Sequence, residues 1–149
     1  MDRYRLQWWK VAYQPGEIRV VAYDHGRVLG EKTVRTAGRP VMLKATCEKP
    51  VSTDRCELRW IHVGACDARG VMDPRCDKRV SFRLDGPGEL VCVANGDATD
   101  MESFAWIDSH RMFSGCVTAV VRRTGEGDIR LTASARGLKS AQVCLSDRR

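Results

Sequence analysis

With 149 residues, 43% of them hydrophobic and 30% charged, the chain is long enough to bury one good core and too apolar for a disordered segment. No apolar run approaches the ~20 residues of a membrane-spanning helix, and Met1-Asp2-Arg3-Tyr4-Arg5 lacks the apolar stretch of a secretory signal, so no membrane partner is expected. The formal charge of +6 sits mostly in residues 1–40, where eight Lys/Arg face four Asp/Glu and alternate with apolar residues; that is a solvated sheet face rather than a phosphate-binding surface, and no nucleic-acid partner is expected.

In chain order, nearly every segment alternates with period two between Gly, Pro, Asn or Asp breaks, and none sustains an amphipathic helical pattern. Residues 4–13 read as a first strand, ended by Gln14-Pro15-Gly16. Residues 17–23 read as a second, and Asp24-His25-Gly26 as a hairpin turn into a third over 27–36. A three-stranded meander is too small to bury its own core, so residues 1–38 are expected to be the closing strands of a truncated immunoglobulin-like domain. Ala37-Gly38-Arg39-Pro40 then reads as a linker.

Residues 41–149 carry seven or eight short strand candidates, at 41–48, 57–66, 79–84, 89–94, 102–106, 116–122, 128–135 and 139–145. Even spacing with turn signals between them predicts a complete β-sandwich. Ile129, Leu131, Ala133 and Ala135 should point inward, as should Val117, Ala119 and Val121 on the strand before. The fold class is therefore all-β, an immunoglobulin-like sandwich preceded by a three-stranded remnant of another.

Motifs of bond-breaking chemistry are scarce. There is no G-x-S-x-G elbow, no G-x-G-x-x-G or G-x-x-x-x-G-K phosphate loop and no H-E-x-x-H, so no catalytic residue, metal ligand or cofactor is assigned. Seven cysteines, an odd number without C-x-x-C spacing, give neither a fully paired disulfide framework nor a zinc ribbon. Cys92 and Cys116 lie in apolar runs and read as small hydrophobes. His62 should lie on an outer sheet face, and His110 in a polar loop.

Two sets of residues stand out as candidate contacts. Asn95, Asp97, Asp100 and Glu102 crowd one loop, where such side chains either build turns, hold a cation, or contact a ligand or neighbouring domain. Trp8, Trp9 and Trp60, with Trp106, could stack on the C–H face of a sugar, or could be covered by the missing half-domain or a neighbouring module.

Several stretches together carry a resemblance. Tyr4-Arg5-Leu6-Gln7-Trp8, Val11-Ala12-Tyr13-Gln14-Pro15-Gly16-Glu17, Val21-Ala22-Tyr23 and Val34-Arg35-Thr36-Ala37-Gly38 resemble the closing strands of the immunoglobulin-like domain behind the catalytic barrel of family 2 glycoside hydrolases. Asp85-Gly86-Pro87-Gly88-Glu89-Leu90, Asn95-Gly96-Asp97-Ala98-Thr99 with Glu102-Ser103-Phe104, Phe113-Ser114-Gly115 and Gly137-Leu138-Lys139-Ser140-Ala141 are similar to the domain that follows. The region Cys56–Cys76 departs from the family in its extra Cys and Arg.

The resemblance implies a β-galactosidase-like parent that retains anomeric configuration with two glutamates about 5–5.5 Å apart, both on the upstream barrel. No position here matches their motifs, so Glu89 and Glu102 take no catalytic role. The implied role is a non-catalytic accessory sandwich whose partner is the rest of the glycosidase; the sequence leaves the parent's location open, a periplasmic or extracellular one included. A carbohydrate-binding or cell-surface adhesion module is the rival, and the cut edge of the meander predicts an edge-strand homo-oligomer.

Overall fold

A computed structural model describes residues 8–49, 51–53, 56–105 and 108–146. The expected Trp106 platform and the strand start at residues 4–7 lie outside the described residues. The chain divides into two compact units, with the boundary between Thr36 and Ala37. All regular structure among the described residues is β, eleven strands with antiparallel pairing between them.

The first unit is a hairpin of β1 (Glu17–Asp24) and β2 (Arg27–Arg35). His25 and Gly26 form its two-residue turn with φ of 45° and 80°, the doubly positive geometry that matches strand twist. Ion pairs Arg19–Glu31 and Arg35–Glu17 cross the strands, and the Thr36 amide donates to the Gly16 carbonyl at 2.8 Å. Residues 8–13, expected as a strand, form none. Alternation there has no partner edge to pair with, and Lys10 at φ 63° breaks the extended path. The hairpin thus has two of the three expected strands.

The second unit is a two-layer sandwich. One layer orders β3 (Met42–Cys47), β5 (Cys56–Cys66), β9 (Cys116–Arg123) and β7 (Gly88–Ala94), with β4 (Val51–Thr53) also on β5. The other orders β11 (Ala141–Leu145), β10 (Ile129–Ser134), β6 (Arg79–Asp85) and β8 (Ser109–Arg111). Ile61, Val63 and Ala65 of β5 and Val117, Ala119 and Val121 of β9 meet Val80 and Phe82 of β6 and Ile129, Leu131 and Ala133 of β10, all buried. The inward positions read from alternation are the ones found inside, with Ala135 packed at the margin.

The strand expected at 102–106 is not there among its described residues; the strand lies later, at β8, where Val80 pairs with His110. Residues 95–105 are consumed by turns, and His110 is on a strand with its side chain fully buried, not in a polar loop. β4, a three-residue strand, was not expected.

Two family-like stretches owe their glycines to backbone crowding. Gly86 (φ 106°) has the Asp128 carbonyl oxygen 2.3 Å from where a Cβ would be, and Gly115 (φ 78°) has the Asp73 carbonyl oxygen at the same distance. A side chain fits at neither. The sheets are also laced at their edges: Lys139 donates to the Val41 carbonyl at 2.9 Å and accepts from the Leu43 amide at 2.8 Å, a short parallel bridge. Arg123 donates to the carbonyls of Gly125, Gly127, Leu145 and Ser146, tying the β9–β10 turn to the end of β11.

Asp67 anchors the segment after the unit boundary. Its carboxylate accepts from the amides of Gly38, Arg69 and Val71, each at 2.9 Å. Those amides, Gly38 first, hold it down at about 2 from the ordinary 3.8. A depressed carboxylate lends stability that is complete above its unfolded value and is lost as pH falls through the folded one. Stability should therefore decline between about pH 4 and 2; denaturant titrations across that range should show Asp67→Asn flattening the decline. Separately, Leu131→Ala should cost about 2–5 kcal/mol in urea unfolding, since it opens a cavity between the layers.

Candidate functional site

The acidic stretch is the connection between β7 and β8, and the carboxylates of Asp97 and Asp100 are spent on its own backbone. Asn95 accepts from the Asp97 amide at 2.9 Å and donates to Asp100 at 2.6 Å and to the Arg111 carbonyl at 3.1 Å. Asp97 accepts from both the amide (2.9 Å) and the hydroxyl (2.7 Å) of Thr99. Asp100 accepts from the Glu102 amide at 2.8 Å. These are successive Asx turns, each replacing a ladder bond with a side-chain bond.

The loop leans on two residues of the four-stranded layer. Arg79 of β6 donates to Glu102 Oε1. His110 of β8 lies beneath, its Nδ1 donating to the Arg111 carbonyl at 3.1 Å and standing 3.8 Å from Asp100 Oδ2 and 3.9 Å from Glu102 Oε2. The Glu102 amide holds the Asp100 carboxyl below its ordinary value, assisted by Asn95, His110 and Arg79 and opposed by burial. His110 Nε2 and Glu102 Oε2 are buried without a hydrogen-bond partner.

Of the three readings of this loop, turn-building is what the bonds describe. Among the described residues, no group of three or more His, Cys, Asp or Glu side chains is arranged to hold a metal ion. Met101 and Phe104, both exposed, share the loop's surface, and Phe113 stands exposed on the neighbouring turn. His110 is what sequence reasoning missed. Its only signal was the spacing of Ser109-His110-Arg111 opposite Ser81-Val80-Arg79, visible once the register is known.

Among the described residues, Trp8 and Trp9 belong to the first unit and Trp60 to the second. Trp8 and Trp9 are 63% and 80% exposed in the first unit. Lys10's positive φ follows them directly, so face alternation does not apply. Trp60 lies on the outer face of β5, half-buried and in register with Val120. His62, two residues on, also faces outward, between Thr118 Oγ1 at 2.9 Å and Glu48 Oε1 at 2.7 Å. Glu89 is an exposed partner of Arg122.

If Asn95 is the organiser, Asn95→Ala should cost about 1–2 kcal/mol, the worth of one or two part-buried hydrogen bonds. Amide exchange should accelerate across residues 96–105 and leave β9 and β10 protected.

Comparison with known proteins places this geometry. The family model described as glycoside hydrolase family 2 C-terminal domain 5 matches residues 43–144, and one described as a domain of unknown function (DUF4982) matches residues 1–30. The β-galactosidase BoGH2A of Bacteroides ovatus is 32% identical over 140 residues, which is 93% of this chain and 16% of that enzyme. A glycosyl hydrolase family 2 member from Bacteroides cellulosilyticus aligns with TM-score 0.81 at 25% identity, over 93% of this chain and 19% of its own. A β-glycosidase from Bacteroides vulgatus shares the fold, with TM-score 0.81 at 23% identity over 92% of this chain and 18% of that one. The chain thus spans less than a fifth of each of these relatives, at the level of a domain rather than a whole enzyme. With a family model matching residues 43–144, from β3 into β11, the chain belongs to the glycoside hydrolase family 2 C-terminal domain 5 family.

Proposed function

We propose that this chain is a non-catalytic accessory region of a β-galactosidase-like glycosidase, supporting its architecture, its assembly or the rim of its active site. The observation that carries the reading is the state of the acidic loop. Its carboxylates accept from the loop's own N–H groups and from Arg79, whereas a retaining hydrolytic pair must face the scissile bond from two carboxyl groups about 5–5.5 Å apart. Chemistry is then left to the longer parent, of which BoGH2A is the named relative.

The same proposal extends to the domains. Residues 1–38 are the closing strands of an immunoglobulin-like domain completed by upstream chain, and residues 41–149 are a sandwich complete in itself. The hairpin supports the first part: Ile18, Tyr23, Val28, Leu29 and Val34 are all exposed, and a two-stranded sheet by itself is marginal in water. One buried core shared by both layers supports the second, and the loop of Asn95, Asp97, Asp100 and Glu102 is where we place a contact to a neighbouring domain.

A second reading rests on Trp8 and Trp9, whose exposed indoles suit carbohydrate stacking. Retention on a glycan affinity gel, lost in Trp8→Ala/Trp9→Ala, is the outcome that favours it; passage through every gel removes it.

The accessory reading is checked by complementation. The 149-residue chain should leave nitrophenyl β-galactoside untouched, yet raise the activity or melting temperature of a parent truncated before it. Hydrolysis by the chain alone, or no effect on the truncated parent, would count against the proposal. The uncovered hairpin edges also predict self-pairing: by light scattering, residues 1–149 should associate more than residues 41–149.

A further inference from the structure

Away from the acidic loop, the outer face of the five-stranded layer collects sulfur around one glycine. Met42 of β3 is the register partner of Cys66 of β5. On the other side of Cys66, beyond the start of β9, Met72 takes the neighbouring place through an antiparallel bridge. One row along the sheet, Lys44, Gly64 and Cys116 stand side by side. Register partners share a face, as do residues two apart on one strand. The two methionines and two cysteines therefore lie on one side, opposite the core positions Ile61, Val63 and Ala65.

Gly64 makes the room. The Met72 sulfur lies 3.2 Å from where its Cβ would be, and the Cys66 thiol donates weakly to its carbonyl at 3.8 Å. Both cysteines are free thiols. Cys66 is buried, Cys116 and Met42 are half-buried and Met72 is exposed, so the cluster is sheltered but open to solvent on the Met72 side.

A disulfide is the wrong product for this geometry. Cys66 and Cys116 are diagonal neighbours, with typical separations of about 7–8 Å, against the roughly 3.5–4.5 Å between Cβ atoms that a disulfide needs. A nucleophilic role is disfavoured too, since burial pushes both thiols up.

We propose that Cys66 and Cys116, with the thioethers of Met72 and Met42, form a binding site for a soft monovalent cation of the Cu(I) class. Thiolate and thioether ligands select such ions, and a metal–sulfur bond of roughly 2.3 Å lets one ion join sulfurs that a disulfide cannot. Met72, with three rotatable bonds and no competing core contact on its exposed side, supplies the reach. Charge points to a single positive charge. On binding, the ion displaces both thiol protons; two thiolates, the Lys44 ammonium and one monovalent ion then sum to zero, while the nearby Asp67 is engaged by Arg69.

The test is anaerobic competition for Cu(I) between the reduced 149-residue chain and a coloured Cu(I) chelator. The chain should withdraw one equivalent tightly. Cys116→Ser and Met72→Leu should each weaken that equivalent roughly tenfold or more, by analogy with the cost of disturbing a metal's ligand shell, whereas Cys92→Ser and Cys144→Ser should leave it unchanged. Met72→Leu conserves volume, and circular dichroism confirms its fold, so the test stands even if a cysteine variant unfolds. The proposal is overturned if no Cu(I) is withdrawn, if folded Met72→Leu binds as tightly as the parent chain, or if Cys92→Ser and Cys144→Ser weaken binding as much.

Discussion

Everything in the larger unit depends on one apolar seam, the contact of β5 and β9 with β6 and β10. Ile61, Val63, Val117, Ala119 and Val121 face Val80, Ile129, Leu131 and Ala133 with almost no exposure to water. Each fully buried aliphatic side chain contributes on the order of 1.5–3 kcal/mol relative to exposure, more than the roughly 0.2–1 kcal/mol typical of an exposed ion pair such as Arg83–Asp85. Because the side-chain period of a strand is two, this seam also fixes register: a slip of one residue on β9 would send Val117, Ala119 and Val121 to solvent and bring Thr118 and Arg122 inside.

The polar features work within what the seam leaves free. His110 is the one histidine inside, admitted at the margin where β8 is only three residues long. The acidic loop closes over that margin and is stapled from above by its Asx turns and from the side by Arg79. Asp67 plays the corresponding part at the start of the unit, and Arg123 at its end. Asp67 and Arg123 are each held by several backbone donors or acceptors, and each also has an ion-pair partner, Arg69 and Glu57, so a charged group fastens irregular chain at both ends of the unit.

The alternating strands were legible in the sequence because burial on one face writes itself as period two; β6, β9 and β10 are read almost to the residue. The reading erred where local pattern and long-range pairing part company. Residues 8–13 alternate well but meet no neighbouring edge, and Lys10 turns away. Residues 102–105 look extended on paper, yet the amides of Glu102 and Ala105 are claimed by the side chains of Asp100 and Ser103. Ser109-His110-Arg111 looks like a polar loop, and only its pairing with β6 makes it a strand. The candidate site suffered similarly: the acidic residues were found, but not that His110 and Arg79, distant in sequence, complete them.

The short parallel bridge at Lys139 has a mechanical consequence. The linker enters the sandwich at Val41, bonded to Lys139 on one side and to Cys66 on the other. The chain from Lys139 runs parallel to β3 and ends in β11. Tension applied through the linker against the far end of β11 would load those bonds along the strand axis, so that they must rupture together rather than one after another. A module wired in this way resists stretching from its neighbours better than its modest number of edge contacts suggests.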